Sequence, residues 1–114
     1  DLIADYIKYT HKLSKQLGVR IPSFGHAGDG NLHIYVCKDG MPEEIWQQKL
    51  KTAFEKLYQK AQEMNGLVSG EHGIGYAKKQ YLKESLGENQ IKIMQQIKNV
   101  FDPKNILNPG KICQ

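Results

Sequence analysis

Three of the four histidines of this chain lie in or beside two glycine-rich turns. The first turn, Gly25-His26-Ala27-Gly28-Asp29-Gly30, runs into an alternating stretch that carries His33, seven positions after His26. A tight turn can fold the chain back so that both imidazoles converge, and imidazole is a common ligand for zinc and other first-row divalent ions. The second turn, Gly70-Glu71-His72-Gly73-Ile74-Gly75, offers Glu71 as a carboxylate ligand beside His72. Two histidines and one carboxylate leave coordination positions open, as a catalytic metal site requires. Each residue also has a plainer reading. A histidine in a glycine turn is often only a turn residue, Glu71 can be a capping carboxylate, and Gly28, Gly30, Gly73 and Gly75 can serve only to permit positive φ. The joint occurrence of histidines and an acid in two separate glycine-rich turns favours the chemical reading. Neither turn has the G-x-G-x-x-G spacing of a dinucleotide site, and no P-loop Lys-Ser/Thr follows. Gly73-Ile74-Gly75 ahead of a helix is compatible with an anion held on backbone amides.

The elements that must position these residues follow from periodicity. Leu2, Ile3, Tyr6, Ile7, Leu13 and Leu17 recur at helical spacing from Asp1 to Leu17, with Asp1 as the expected cap and Gly18 as a left-handed stop. The chain opens directly inside this pattern, so more sequence is expected upstream. Val19 to Phe24 is β-branched and aromatic but interrupted by Pro22, which suits an edge strand or a strand start better than a central strand. From Asn31 to Cys37, Leu32, Ile34 and Val36 fall on one face and His33, Tyr35 and Cys37 on the other. One face is core, and the other is open to chemistry. Pro42 fits a first helical position, Glu43 and Glu44 suit the positive end of the helix dipole, and Trp46, Leu50, Ala53, Phe54, Leu57, Ala61 and Met64 continue the helix to Asn65-Gly66. Leu67 to Ser69 is expected as a short strand and Tyr76 to Lys83 as a short helix. Ser85 and Glu88 suggest a capping box for a last helix with Ile91, Met94, Ile97 and Phe101, stopped by Asp102-Pro103. This order predicts an α+β fold, an antiparallel sheet with helices packed on one face, like half of a ferredoxin-like domain. Two strands and a fragment are few for an independent sheet, so residues 1–114 are expected to be part of a larger domain.

Composition bounds the function without naming it. A chain of 114 residues and 13.0 kDa supports one modest core. It has no apolar run of membrane-spanning length. The formal charge is +4, yet all but one of the 16 basic residues are lysines, scattered from Lys8 to Lys111, with Arg20 the only arginine. Nucleic-acid recognition favours clustered arginine, so a solvated lysine surface is the better reading and no nucleic-acid partner is expected. Cys37 and Cys113 lack metal-type spacing and are expected as free thiols.

Three segments, taken together and in order, resemble a known family. They are Gly25-His26-Ala27-Gly28-Asp29-Gly30-Asn31-Leu32-His33, Gly70-Glu71-His72-Gly73-Ile74-Gly75, and Asp102-Pro103-Lys104-Asn105-Ile106-Leu107-Asn108-Pro109-Gly110-Lys111. The resemblance is to the C-terminal domain of FAD-linked oxidases, the glycolate oxidase subunit, D-lactate dehydrogenase and D-2-hydroxyglutarate dehydrogenase group of the vanillyl-alcohol-oxidase flavoprotein superfamily. It covers nearly all of the chain from His26 to Lys111. It implies that His26, His33 and Glu71 bind a divalent metal, zinc being the first expectation, and that His72 is the general base. The metal would bind the 2-hydroxyl and carboxylate of a small 2-hydroxy acid and act as a Lewis acid. His72 would take the hydroxyl proton while the C2 hydride passes to flavin N5. Asn108 and Lys111 resemble a tail segment that returns towards the flavin. Tyr35 falls where the hydroxyglutarate enzymes have a substrate-touching asparagine, which favours a smaller acid such as glycolate or lactate.

The resemblance further implies that FAD is held mainly by a separate FAD-binding domain upstream of these 114 residues, so the segment alone is expected to be inactive. The other expected partners are the 2-hydroxy-acid substrate, an electron-transfer protein or quinone acceptor, and a second copy in a homodimer. The expected location is cytoplasmic, peripheral to the inner membrane face. The competing expectation is an α+β module that binds a metal or ligand without redox chemistry.

Overall fold

A computed structural model describes residues 2–114, which form two compact units, one ending at Gly66 and the other running from Leu67 to Gln114. Asp1, the expected cap of the first helix, lies outside the described residues. The described residues hold four α-helices and a two-stranded antiparallel sheet, an α+β fold as expected.

In the first unit, helix α1 spans Leu2–Leu17 and ends where Gly18 takes φ +59°. Its C-terminal carbonyls find partners. Lys49 Nζ donates to Leu17 O at 2.7 Å, and the Val19 amide donates to Ser14 O at 3.2 Å. Strand β1, Ser23–His26, pairs with β2, Asn31–Ile34, so that Phe24 faces His33 and His26 faces Asn31. A 3-10 turn, Ala27–Asp29, joins them, and Gly30 closes it in the left-handed region. The expected strand Asn31–Cys37 is cut short at Ile34, although the same register resumes at the Arg20–Cys37 bridge. Pro22 explains the gap. The Tyr35 amide donates to Pro22 O at 3.0 Å, but proline has no N–H to return.

Helix α2 spans Glu43–Glu63. Pro42 stands one position outside it, as N-cap with ψ 144°, and its carbonyl accepts from the Trp46 amide at 2.9 Å. The helix ends through Asn65, at φ +57°, and the Gly66 amide, which donates to Ala61 O at 2.7 Å. Leu13, Val19, Ile21 and Leu57 form the buried core, against which Ile34 of β2 and Val36 just past it pack. The Tyr6 hydroxyl ties α1 to α2 by donating to Leu57 O at 2.8 Å. The helices thus cover one face of the hairpin, and the face bearing Phe24 and Tyr35 stays largely exposed.

The second unit departs from expectation in three places. Residues 67–69 form no strand, because an isolated strand leaves its ladder groups unpaired, and Leu67 is 77% exposed. Helix α3 spans Lys79–Leu86 and begins three residues after the expected Tyr76, since a turn runs from left-handed Gly75 through Lys78. The Ser85–Glu88 capping box does not form. Ser85 already lies in the last turn of α3, and helix α4, Glu88–Phe101, starts after Gly87 at φ +80°. Glu88 instead pairs with Lys83 at 2.9 Å.

The small core here is Leu82, Ile91 and Cys113, with Ile74, Leu86 and Met94 packed against it. The eight-residue α3 serves only the early turns of the 14-residue α4, so Ile97 and Phe101, expected inward, are exposed. Both cysteines are free thiols, as expected. Among the described residues, no helix is long and apolar enough to cross a membrane.

Candidate functional site

Backbone pairing in the first unit sets out a row of rings. Phe24 and His26 on β1, and His33 and Tyr35 on or just past β2, occupy the hairpin face turned away from the core, as period-two alternation requires. The rings of His26 and His33 meet edge-on, with centroids 6.0 Å apart and planes at 78°. An imidazole nitrogen of each lies within 4.8 Å of one on the other. Phe24 lies nearly parallel to His33 at 5.1 Å and to Tyr35 at 5.5 Å, with interplanar angles of 18° and 14°.

Gly25 makes this approach of strands possible. A Cβ there would stand 2.2 Å from Asn31 O and 3.0 Å from Leu32 Cα, so no other residue fits the register. At the open end of the hairpin, Arg20 donates to both carboxylate oxygens of Asp39, at 2.9 and 2.7 Å. The carboxylate accordingly holds the guanidinium pKa up, and Arg20 holds that of Asp39 down. The only arginine of the chain is therefore occupied in closing the hairpin.

Glu71 and His72 belong to the second unit and stand on a stretch without regular secondary structure. His72 Nε2 lies 3.7 Å from Glu71 Oε1, and both side chains are well exposed. Gly73 and Gly75 take φ of +76° and +56°, with open space where a Cβ would be. The Ile112 amide donates to Gly75 O at 2.8 Å, tying this turn to the tail of its own unit.

The tail is organised by Asp102, expected as a helix stop and as the head of the third family-like segment. Asp102 is 5% exposed and accepts from the Ile106 and Leu107 amides, each at 3.0 Å, while pairing with Lys98. Lys98, with the two amides in support, holds its carboxyl below the usual carboxylate range. Asn108, at φ +46°, turns the chain, and its carbonyl accepts from the Lys111 amide at 3.4 Å. Lys111 and Lys79 place their ammonium groups 5.7 and 5.6 Å from the centre of the Tyr76 ring.

Of the residues singled out from sequence, the structure thus brings His26, His33 and Tyr35 onto one face of the first unit. It sets Glu71 beside His72, and Asn108 beside Lys111, in the second. Phe24 was missed. The signal that would have found it is the hairpin register, which sets position 24 opposite position 33.

Comparison with known proteins gives one family and a consistent set of relatives. The family described as FAD linked oxidases, C-terminal domain, matches residues 1–112. A D-lactate dehydrogenase of Anaerostipes hadrus is 52% identical over 111 residues, 97% of this chain and 23% of that protein. The glycolate oxidase subunit GlcD of Bacillus subtilis is 39% identical over 96% of this chain and 23% of its own length. A D-2-hydroxyglutarate dehydrogenase of Stutzerimonas stutzeri is 43% identical over 78% of this chain and 19% of its own. The chain therefore spans about a quarter or less of the length of these curated relatives.

Proposed function

The chain belongs to the FAD linked oxidases, C-terminal domain family, and on that footing we propose that it is the substrate-facing C-terminal part of a flavin-dependent 2-hydroxy-acid dehydrogenase or oxidase. In this reading the FAD-binding domain, and the basic groups that hold the substrate carboxylate, belong to the remainder of a longer polypeptide. The relatives' lengths support this division. The relatives' names cover D-lactate, glycolate and D-2-hydroxyglutarate enzymes, and Tyr35, which the resemblance sets where hydroxyglutarate enzymes have asparagine, favours the smaller acids.

The observation that carries the reading is the meeting of His26 and His33 on an open hairpin face, 6.0 Å between ring centres. The donor set suits a divalent ion. Ligand atoms of one small ion lie about 3–4 Å apart, the two rings bring a nitrogen each to within 4.8 Å of the other, and neither ring is in the core. His26 and His33 would supply two nitrogen ligands and Glu71 a carboxylate oxygen. When bound, the ion supplies Lewis acidity to a hydroxyl oxygen and FAD supplies a two-electron acceptor.

The chain's own residues do the rest. His26 and His33 orient the hydroxy acid, and Tyr35 lines the space for its side chain. His72 accepts the proton of the 2-hydroxyl at an imidazole nitrogen as the C2–H bond breaks. Asn108 and Lys111 are the tail residues that would contact the flavin.

The test is single-turnover flavin reduction by the full-length protein with glycolate, both lactates and D-2-hydroxyglutarate, together with metal analysis. His33→Ala should lose both bound metal and reduction. His72→Asn should keep the metal and lower the reduction rate by about 10²–10⁴-fold. Full reduction by chelated His33→Ala would remove the metal assignment, and an unchanged rate in His72→Asn would remove the base.

A further inference from the structure

We propose that Phe24 is a positioning residue that fixes the ring planes of His33 and Tyr35. The inference rests on the reading of His33 as a ligand and Tyr35 as a substrate-facing residue.

Phe24 does no work in the core. It is 59% exposed and stands apart from the buried cluster of Leu13, Val19, Ile21 and Leu57. A large apolar ring left on the open face of a two-stranded hairpin gains little from burial, so its contacts on that face are what it contributes. Those contacts are ring to ring, with His33 directly across the ladder and with Tyr35 two positions further on. Terminal torsions of histidine and tyrosine are broad and two-fold, so the backbone sets where these rings start but not how they turn. Near-parallel packing at 18° and 14° restricts that turning. With its flat side against Phe24, His33 meets the His26 ring in an edge contact, the planes at 78° and a nitrogen of each ring within 4.8 Å of one on the other. The neighbouring Gly25 cannot accept a side chain, which keeps the two strands, and hence the stack, in one register.

The chemistry needed from Phe24 is a flat ring, and that separates positioning from bulk. In the full-length protein stripped of metal, Zn²⁺ affinity should fall about 10-fold for Phe24→Ala. Phe24→Leu, which keeps the apolar bulk, should fall as far, while Phe24→Tyr should stay within about two-fold of wild type. Histidine selectively labelled with carbon-13 should give a His33 ring resonance displaced by the adjacent ring, and both the Ala and Leu variants should lose that displacement without metal present. Wild-type affinity in Phe24→Leu would overturn the proposal, as would an unmoved His33 resonance. Failure of the metal reading itself looks different, because His26→Ala and His33→Ala would then bind Zn²⁺ as wild type does.

Discussion

In the first glycine-rich turn the chemistry-bearing side chains stand on paired strands, whereas in the second Glu71 and His72 stand on a stretch tied to the tail by the Ile112 amide. Glycine also does different work in the two. Gly25 is needed because two backbones touch there, and Gly73 because its φ is +76° in otherwise open space. The first turn is built sterically and arrives at its geometry as the hairpin forms. The second is set by local conformation and by a tail that Asp102 must itself organise. On the proposed reading the imidazole pair His26 and His33 stands on the first kind of support, and the carboxylate ligand Glu71 and proton acceptor His72 stand on the second.

The sharpest way to break this contrast is Gly25→Ala. The new Cβ would meet Asn31 O at 2.2 Å, a backbone atom that cannot swing away, so the strands must part. Urea unfolding should show a loss of about 3 kcal/mol or more. Gly28→Ala, with nothing within 4 Å and no left-handed φ, should stay within about 0.5 kcal/mol. A stable Gly25→Ala protein with protected hairpin amides would show that close pairing is not what holds His26 against His33.

The second support should fail separately. Ile112→Pro removes the N–H that reaches Gly75 O, and it demands a negative φ where the chain has +57°. A loss of about 2–3 kcal/mol is expected. Hydrogen exchange should quicken around residues 70–78 and stay unchanged at 31–37. Equal quickening in both regions would mean that the two turns are not independently supported.

Asp102→Asn is expected to act more weakly and to carry a pH signature. The folded carboxyl titrates below its ordinary 3.8, first because of Lys98. Its stabilisation is therefore complete above that ordinary value and is lost as pH falls through the folded-state value. Wild type should unfold at higher temperature than the variant at neutral pH, and the two should converge in acid. A difference that persists unchanged to pH 2 would mean that the Asp102 charge does not hold the tail.

What the sequence made legible is what depends on near neighbours. Helical periodicity placed α1 and α2, Gly18 and Asp102-Pro103 marked true ends, and alternation put His33 and Tyr35 opposite Ile34. Features that depend on a distant partner were not legible. Leu67–Ser69 has strand-like residues but no strand to pair with, and the Ser85–Glu88 pattern ignores that Ser85 is already inside α3. Asp102 looked like a stop because its acceptor role appears only once Ile106 and Leu107 fold back onto it. At the site, the nearness of His26 and His33 was legible from a seven-residue spacing across a tight turn, whereas the stacking of Phe24 needed the register.

A mild change in the second turn bears most directly on the contrast. Gly73→Ala adds a methyl group to empty space at φ +76°, so its cost is conformational only. A left-handed L-residue costs roughly 1–2 kcal/mol, and reduced freedom of the unfolded chain returns about half of that. Equilibrium unfolding should therefore show a net loss of about 1 kcal/mol or less, and Gly73→Asn, which tolerates the left-handed region, should lose less still. Flavin reduction in the full-length protein should follow the folded fraction and no more. If Gly73→Ala instead lost reduction far beyond its loss of stability, the space beside Gly73 would have to be filled by substrate or flavin. The second turn would then be sterically determined like the first, by a ligand in place of a neighbouring strand.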